Sequence, residues 1–443
     1  MNPRFDFSTP TIGTPKVVSP LSSSNRQGDY ITNFVSDRQF IRYDISAIPD
    51  DSNDRYTKEQ LIEVAGPRQN IYFDPAHVNA GIVTCGGLCP GVNDVINAVV
   101  MTLWYRYGVR RISGIRFGYR GFLPESKMPV MELYPEKVAE IHRMGGTVLG
   151  SSRGEGRRVE EIVDSMERMN LNILFTIGGD GTLKGALSIA DEVEKRGLKI
   201  AVVGIPKTID NDLSFIERSF GFETAVSCAV EAVDGAHTEA HDAMNGIGIV
   251  KVMGRESGFI AAYTALASGD VNYVLIPEVP FELMGDGGLL AHLKKRLETR
   301  HHAVILIAEG AGQDLLETND ETDASGNKKL SDVGVFLKQQ LERYFKEQSM
   351  EMTVKYIDPS YMIRSAAANS GDSIYCARLG TNAVHAAMAG KTKILISLVN
   401  NTFVHLPIRL AVSKRNRVDP ESPLWRDVIE TTGQPILMKN RHE

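Results

Sequence analysis

The chain has 443 residues, of which 42% are hydrophobic and 23% are charged. These values are typical of a globular protein with about two or three domains, or with one large two-lobed α/β unit. The net charge of −6 is not the basic excess of nucleic-acid-binding or membrane-surface proteins, so we expect neither partner.

The four cysteines form no CxxC pair and follow no zinc-ligand spacing. We interpret them as reduced thiols of a cytoplasmic protein. No apolar run approaches the roughly 18 residues of a membrane span. The opening residues MNPRFDFSTPTIG lack the apolar core of a secretory signal. A cytoplasmic protein with no membrane partner is therefore predicted.

Residues 1–78 are rich in proline and contain no long periodic stretch. They predict an arm or small subdomain that lies against the core. Within it, residues 57–66 predict one short helix.

From residue 79 onward, short apolar runs alternate with segments of helical spacing. Continuous apolar strands separated by helices indicate parallel sheets covered on both faces, here two sheets in adjacent lobes. The polar segment 313–330 predicts an exposed loop. The predicted strands are 79–84, 173–179, 200–206, 247–254, 273–278 and 303–310, and the predicted helices are 92–107, 183–196, about 257–268 and 335–348.

Two glycine-rich turns follow predicted strands in the first half of the chain. GGLCPG (86–91) can bring backbone N–H groups close to an anion, although a purely structural tight turn remains an alternative. GGDGT (178–182) adds Asp180, and a carboxylate beside a phosphate calls for a bridging cation such as Mg²⁺. Its alternative is an Asx turn between strand and helix.

The segment PKTIDND (206–212) follows another predicted strand. Ligands collect at the carboxyl ends of parallel strands, so we expect its polar residues in a ligand site. Asp210 or Asp212 can take a proton from an attacking hydroxyl, while the other orients it or helps to hold a metal. Lys207 can offset their charge or contact a phosphoryl group. A solvated turn is the alternative.

Three further segments supply candidate sugar-phosphate ligands. Arg255 in VKVMGRESGF (250–259) ends a strand and can pair with phosphoryl oxygens. Glu309 can accept hydrogen bonds from sugar hydroxyls. KYIDPSYMIRS (355–365) offers Lys355, Tyr361 and Arg364 for a phosphate monoester. Structural ion pairs and surface cations are the alternatives.

Together these motifs resemble the phosphofructokinase family over roughly residues 79–410. GG at 86–87, GGDGT, PKTIDND, MGRESGF, AEG and YxxR appear in the family's order. SSRG (151–154) and DASGNKKL (323–330) are similar to the ATP-dependent enzymes of trypanosomatids and plants, which are related in sequence to the pyrophosphate-dependent branch. The resemblance implies an α/β phosphofructokinase fold of two Rossmann-like lobes with largely parallel sheets, plus the N-terminal arm.

The resemblance also implies a glycolytic, allosteric kinase that phosphorylates fructose 6-phosphate at its 1-hydroxyl with MgATP. Asp210 resembles the general base, with Thr208, Asp212, Lys207 and Arg255 as further catalytic residues, and Asp180 resembles the Mg²⁺-associated carboxylate. The implied nucleotide-binding residues are Gly87, Tyr119, Arg153, Gly154, Gly179, Asp180, Gly181 and Thr182. The implied sugar-phosphate residues are Thr208, Asp210, Met253, Gly254, Arg255, Glu309, Lys355, Tyr361 and Arg364.

By the same resemblance, residues 79–220 with 366–410 form the nucleotide-side lobe. Residues 221–365 with 411–443 form the sugar-phosphate-side lobe. A homotetramer is implied, in which Lys355 would act across an interface.

The chain departs from the bacterial pattern of the family. Tyr361 replaces a histidine, and Lys355 and Gly246 replace arginines that reach in from a neighbouring subunit. Asn97 and Met101 replace two arginines of the bacterial effector site. Control by ADP and phosphoenolpyruvate of the bacterial type is therefore not expected.

Two residues give conflicting predictions of the phosphoryl donor. Gly181 stands where the family's pyrophosphate users commonly carry aspartate, and glycine leaves room for the α-phosphate of a nucleotide. Lys207 is the residue that those pyrophosphate users carry. Because steric and charge exclusion discriminates more strongly than an added cation, ATP is predicted. A pyrophosphate-dependent enzyme and a non-catalytic regulatory subunit of the same fold are the alternatives.

Overall fold

The computed structural model describes residues 5–45, 61–316, 321–322 and 329–440. The strands are β1 (Val17–Val18), β2 (Phe40–Arg42), β3 (Leu61–Glu63), β4 (Asn70–Ile71), β5 (Asn79–Thr84), β6 (Arg111–Ile115), β7 (Met131–Glu132), β8 (Ile173–Gly178), β9 (Ala201–Pro206), β10 (Gly246–Val252), β11 (Tyr273–Leu275), β12 (His302–Ala308), β13 (Thr353–Ile357), β14 (Ile394–Val399) and β15 (Thr402–Pro407).

The α-helices are α1 (Val92–Met101), α2 (Pro135–Val138), α3 (Val159–Arg168), α4 (Asp180–Lys195), α5 (Phe222–His241), α6 (Phe259–Ser268), α7 (Leu289–Arg300), α8 (Val333–Glu347), α9 (Ser360–Ser365), α10 (Ser370–Met388), α11 (Ile408–Ala411) and α12 (Pro423–Thr432). None of the helices in the described part of the chain is long and apolar enough to cross a membrane.

The chain divides into two compact units, each assembled from three segments. The first unit contains Met1–Thr208, Leu213–Gly221 and Ala366–Arg415. The second contains Ile209–Asp212, Phe222–Ser365 and Asn416–Glu443. The short segment Ile209–Asp212 therefore packs with the second unit, although it falls inside the predicted range 79–220 of the other lobe.

The first unit is built on a sheet of strand order β15-β14-β9-β8-β5-β6-β7. Its central strands run parallel, and β15 and β7 add antiparallel edges. Every residue of β8 and β9 is buried. Strands buried along their whole length require cover on both faces, which is why they read as unbroken apolar runs in the sequence.

The second unit is built on a parallel sheet of order β11-β12-β10-β13. Alternate residues of β10 enter different hydrophobic clusters: Val250 and Val252 pack with α5 and α6, and Ile247 and Ile249 pack with α7 and α8. Both faces of this sheet are therefore covered, and the predicted α/β class with largely parallel sheets is confirmed.

Several predicted elements differ from the structure. The predicted helix 57–66 is wrong for residues 61–63, which form β3 and pair with β2, while residues 57–60 lie outside the described part. Tertiary pairing overrides a weak helical pattern here, because Ile62 belongs to the main core of the first unit. Helix 92–107 is α1 followed by a π-helical turn at Thr102–Tyr107.

The remaining predictions differ mainly in their ends. The predicted strands contain β5, β8, β9, β10, β11 and β12 or overlap them within a few residues. Of the predicted loop 313–330, residues 313–315 form a 3₁₀ turn, and residues 317–320 and 323–328 lie outside the described residues. The strands β1, β2, β3, β4, β6, β7, β13, β14 and β15 were not predicted.

A buried charge cluster joins the N-terminal segment to the sheet of the first unit. The Glu63 carboxylate contacts Arg68 Nη2 at 2.8 Å and Lys391 Nζ at 2.7 Å. His405 Nδ1 lies 3.4 Å from the same carboxylate. Burial alone would raise the pKa of Glu63, but the hydrogen bonds and charges of His405 and Lys391 outweigh it and hold that pKa well below its usual range. The carboxylate is therefore the shared counter-ion of this cluster.

Glu63→Gln is expected to lower the free energy of unfolding by about 3 kcal/mol, because buried Lys391 loses its counter-charge and buried Arg68 loses the buried one of its two carboxylate partners. Denaturant unfolding followed by circular dichroism measures the change. Asp37→Asn is the matched control, since Asp37 pairs with the same Arg68 but its side chain is 69% exposed. Asp37→Asn should lower the free energy of unfolding by at most about 1 kcal/mol. Equal decreases for the two variants would contradict the assignment of Glu63 as the shared counter-ion.

Candidate functional site

Three loops of the first unit leave neighbouring strands at the same edge of its sheet. They follow β5, β8 and β9, which lie side by side and run parallel. These are the loops GGLCPG, GGDGT and PKT that the sequence singled out. The sheet thus places their polar groups at one edge, as strand order requires.

Lys207 ties these loops together. Its ammonium group donates to the carbonyl of Gly87 at 2.5 Å, and its backbone N–H donates to Gly178 O at 2.9 Å. A Cβ atom added at Gly86 would lie 3.3 Å from Lys207 Nζ, and Gly86 has a φ of +89°. A side chain at Gly86 would therefore be strained and would crowd the lysine.

The SSRG loop packs beside the first glycine turn. Gly86 N–H donates to Ser152 O at 2.9 Å, and Ser151 Oγ donates to Gly86 O at 2.6 Å. A Cβ atom at Gly87 would lie 3.4 Å from a terminal guanidinium nitrogen of Arg153. The structure therefore brings the predicted residues Gly87 and Arg153 together.

The first turn of α4 is formed by the GGDGT segment, with Gly179 as its N-cap. The hydroxyl of buried Tyr119 donates to Thr182 O at 2.8 Å. Asp180 Oδ2 lies 2.9 Å from Lys184 Nζ, and the Asp180 side chain is 24% exposed. A Cβ atom at Gly181 would meet nothing within 4 Å. Tyr119 therefore supports this turn from inside, whereas Gly181 faces open space.

The carboxylates of PKTIDND lie in the second unit, because the chain passes from one unit to the other after Thr208. Ser257 Oγ donates to Asp210 O at 3.2 Å, and Asn416 N–H donates to Asp212 O at 2.8 Å. Between the two aspartates, buried Asn211 adopts a left-handed conformation with a φ of +54°. These contacts hold the backbone of the segment that carries the two carboxylates.

The ends of β10 and β12 lie side by side in the second unit. Glu309 N–H donates to Val252 O at 2.9 Å, and Gly310 N–H donates to Gly254 O at 3.1 Å. Gly254 has a φ of +133°, which favours glycine. The structure therefore places Gly254, Arg255 and Glu309 at one sheet edge. Met253 is buried in the core, so only its backbone can serve a ligand.

The segment 355–365 separates into two parts. Tyr361 and Arg364 lie on α9, which follows β13 at the carboxyl edge of the sheet, and the Tyr361 side chain is 83% exposed. Lys355 instead lies within β13 opposite Gly248, and its ammonium group lies 3.5 Å from Glu239. The structure therefore does not bring Lys355 to the carboxyl edge of its own unit.

The structure also places three residues at which the chain departs from the bacterial pattern. Asn97 Nδ2 donates to Val138 O at 2.8 Å within the first unit. Met101 is the last residue of α1. Gly246 begins β10, at the opposite end of the strand from Arg255, and a Cβ atom there would lie 2.1 Å from Ala240 O.

Glu278 is a supporting residue that the sequence did not reveal. Its Oε1 accepts hydrogen bonds from Gly258 N at 2.9 Å and from Val418 N at 2.8 Å. Burial raises the pKa of Glu278. It thereby joins the C-terminal segment to the turn that carries Arg255. The only sequence signal was a carboxylate at the end of the predicted strand 273–278.

Glycine turns at strand ends, a helix N-terminus and nearby cations are features from which proteins build phosphate-binding sites. The phosphofructokinase family model matches residues 79–387. The chain belongs to the phosphofructokinase family.

Curated relatives cover most of the chain. It is 56% identical over 446 residues to "ATP-dependent 6-phosphofructokinase" of Borreliella burgdorferi, covering 99% of each chain. It is 50% identical over 375 residues to the protein of the same name from Trypanosoma cruzi, covering 84% of this chain and 76% of the relative. It is 52% identical to "ATP-dependent 6-phosphofructokinase 5, chloroplastic" of Arabidopsis thaliana, covering 85% of this chain and 70% of that protein.

Among solved structures, the chain resembles a pyrophosphate-dependent phosphofructokinase from Marinobacter aquaeolei. The TM-score is 0.65 at 20% identity, over 80% of this chain and 91% of the other. At that identity the likeness concerns the fold alone.

Two glycines give a matched test of the site's backbone. A Cβ atom at Gly310 would lie 1.9 Å from Arg255 O, so Gly310→Ala is expected to cost about 2 kcal/mol through a forced backbone shift. Gly181→Ala adds a Cβ in open space within the first turn of α4, so it should be neutral or stabilising by up to about 1 kcal/mol. Thermal unfolding compares the two variants. Equal melting temperatures would show that the strand ends tolerate more displacement than these contacts imply.

Proposed function

We propose that this protein is an ATP-dependent 6-phosphofructokinase, which transfers the γ-phosphoryl group of ATP to the 1-hydroxyl of fructose 6-phosphate and yields fructose 1,6-bisphosphate and ADP. The observation that carries the proposal is the 56% identity, over 99% of both chains, to a relative named for this activity. The open space at Gly181 supports the same donor.

The nucleotide would be bound by the loops of the first unit. The N-terminus of α4 offers backbone N–H groups and a favourable dipole to the phosphates. Arg153, beside Gly87, would add a cation, with Gly154, Gly179 and Thr182 lining the same turns. Tyr119 would act indirectly, since its hydroxyl is used by Thr182 O.

Mg²⁺ would enter with the nucleotide as MgATP. Within the described residues, no group of three His, Cys, Asp or Glu is arranged to hold a metal ion. This fits an ion that keeps its waters and binds phosphate oxygens plus one or two carboxylates. Asp180, partly exposed at the start of α4, is the carboxylate that we propose for it. The ion would supply charge neutralisation at the phosphates.

The sugar phosphate would be bound by the second unit. We assign Asp210 as the general base that takes the proton of the 1-hydroxyl, with Asp212 orienting it. Thr208, the last residue of its segment of the first unit, flanks Asp210 in the sequence and is proposed as a further catalytic residue. Arg255 would stabilise the charge of the transferred phosphoryl group. Gly254, Glu309, Tyr361 and Arg364 would hold the sugar and its 6-phosphate, with Met253 contributing backbone only. The structure gives Lys355 no place in this set within one chain, so its role depends on the proposed homotetramer.

Lys207 is the residue that favoured pyrophosphate. Its ammonium group is buried and donates to Gly87 O, while its backbone bonds to Gly178. These contacts are a structural role that is compatible with an ATP-dependent enzyme, because they hold two glycine turns together. Lys207, the main support for the pyrophosphate-dependent alternative, therefore no longer favours that alternative.

Donor assays with purified protein test the proposal. Turnover of fructose 6-phosphate with MgATP is expected, and turnover with pyrophosphate alone would overturn it. Absence of turnover with both donors, with fructose 6-phosphate still bound, would favour the alternative of a non-catalytic regulatory subunit.

Gly181→Asp is expected to lower kcat/KM for ATP by about 100-fold, because a carboxylate near the nucleotide phosphates repels them. The fold should be unchanged, since a Cβ atom at this position meets nothing within 4 Å and aspartate suits the first turn of a helix. Gly181→Asn is the matched control that adds the same bulk without charge. Unchanged ATP kinetics in both variants would remove Gly181 from donor selection.

Asp210→Ser is expected to lower kcat by about 10²- to 10⁴-fold, the usual contribution of a general base. Fructose 6-phosphate binding, measured by isothermal titration calorimetry, should change little. Asp234→Ser, at an exposed position of α5, should leave both quantities unchanged. Retained turnover in Asp210→Ser would exclude Asp210 as the base.

The homotetramer and the cytoplasmic location remain proposals. Light scattering coupled to size-exclusion chromatography tests the first, and a mass of one chain would exclude it.

A further inference from the structure

Lys251 is a partly buried cation that none of the assigned roles uses. It lies in β10, four residues before Arg255, and its side chain is 12% exposed. Its ammonium group contacts Asp332 Oδ2 at 2.9 Å and Asp358 Oδ2 at 3.0 Å. All three residues belong to the second unit. One lysine therefore bridges two carboxylates that lie far apart in the sequence.

Each of these carboxylates also fixes the start of a helix. Asp332 is the N-cap of α8, and its Oδ1 accepts from Gly334 N and Val335 N. Asp358 Oδ1 accepts from the backbone N–H of Ser360, the first residue of α9, at 3.0 Å. The lysine thus acts on two helix N-termini through their capping groups.

The electrostatics favour a permanently charged bridge. Burial alone would lower the pKa of Lys251, but its hydrogen bonds to Asp332, Tyr356 and Asp358 outweigh burial and raise it. Tyr356 strengthens the bridge, because its hydroxyl donates to Asp332 Oδ1 at 2.9 Å. Without the ammonium group, two carboxylates held near the same point would repel each other.

The bridge reaches the proposed sugar-phosphate ligands on both sides. On one side, Asp358 holds the start of α9, which carries Tyr361 and Arg364. On the other, Ser331 precedes Asp332 and exchanges two hydrogen bonds with the side-chain amide of Gln313. That amide also donates to Glu309 O at 2.7 Å. A continuous hydrogen-bonded path therefore joins Glu309 to α9.

We propose that Lys251 is a positioning residue for the phosphate ester of the sugar substrate, because its ammonium group fixes Asp358 and with it the helix that presents Tyr361 and Arg364. This inference rests on the proposed function. The lysine itself does not contact the ester. Its loss would leave the Asp358 carboxylate uncompensated at the start of α9, where it would compete with the substrate phosphate for nearby cations.

The test is a comparison of kinetic constants in the full-length enzyme. Lys251→Met keeps an unbranched side chain of similar length and removes its charge. It is expected to raise KM for fructose 6-phosphate about 10-fold, with kcat and KM for ATP changed less than about 2-fold, because only binding of the ester is affected.

Lys393→Met is the matched control. Lys393 also bridges two carboxylates, at 2.6 Å from Asp191 and 2.5 Å from Glu194, and its side chain is 17% exposed. It lies in the first unit. Its loss should lower the melting temperature comparably but leave KM for fructose 6-phosphate unchanged. If that KM rises equally in both variants, the effect of Lys251→Met is general destabilisation, and the proposal is overturned.

A double-mutant cycle separates positioning from direct contact. Asp358→Asn removes the charge while asparagine still caps the helix, so it should raise KM for fructose 6-phosphate only about 3-fold. The variant Lys251→Met/Asp358→Asn should match Asp358→Asn, since the carboxylate at the start of α9 is gone. If the KM of the double variant for fructose 6-phosphate stays as high as that of Lys251→Met, the lysine contacts the ester and the proposal is wrong.

Two further outcomes are decisive. If Lys251→Met does not fold, Asp358→Asn alone carries the test, and an unchanged KM for fructose 6-phosphate in it overturns the inference. Failure of the proposed function is recognised separately, because the unmodified enzyme would then show no turnover with ATP and fructose 6-phosphate in the same assay.

Discussion

The complete burial of the central strands is the constraint on which the rest of the molecule depends. β8 and β9 contain no exposed residue, so no polar side chain needed for chemistry can lie along them. Polar groups are therefore confined to the turns at their ends. Because the strands run parallel, those turns meet at one edge, and the glycines there let backbones approach one another. Lys207, in the turn after β9, reaches Gly87 O in the turn after β5, although β8 lies between these two strands.

The same constraint operates in the second unit. β10, β12 and β13 end at Val252, Ala308 and Ile357, and the residues that follow carry the proposed sugar-phosphate ligands. There the turns are joined by side chains as well as by backbone. Glu278 holds the turn after β10 from one side, and Lys251 ties the segment after β13 from the other. The proposed ligands thus depend on Glu278 and Lys251, two partly buried charged side chains that are not themselves among those ligands.

The sequence was most informative where periodicity and motif agree. β5 was predicted with its observed bounds, and the GGDGT turn begins α4 because glycine and aspartate suit a helix start after a buried strand. Prediction failed where pairing is non-local. β14 and β15 join the first sheet almost 200 residues after β9, and nothing in their local pattern reveals that partner. The place of Lys355 was not visible in the local pattern for a similar reason, since only the register of β13 places it opposite Gly248. Lys251 and Glu278 were missed because their roles depend on contacts distant in sequence.

The division of the chain bears on how it is made. β9 is hydrogen-bonded to β14, and α10 packs on α1 within the first unit, yet most of the second unit is encoded between those partners. A ribosome therefore delivers an incomplete first sheet, whose β9 edge stays unpaired until residues near 394 emerge. An unpaired apolar edge invites wrong pairing. The four strands of the second unit's sheet lie within residues 246–357. This sheet can therefore form while the β9 edge is still unpaired.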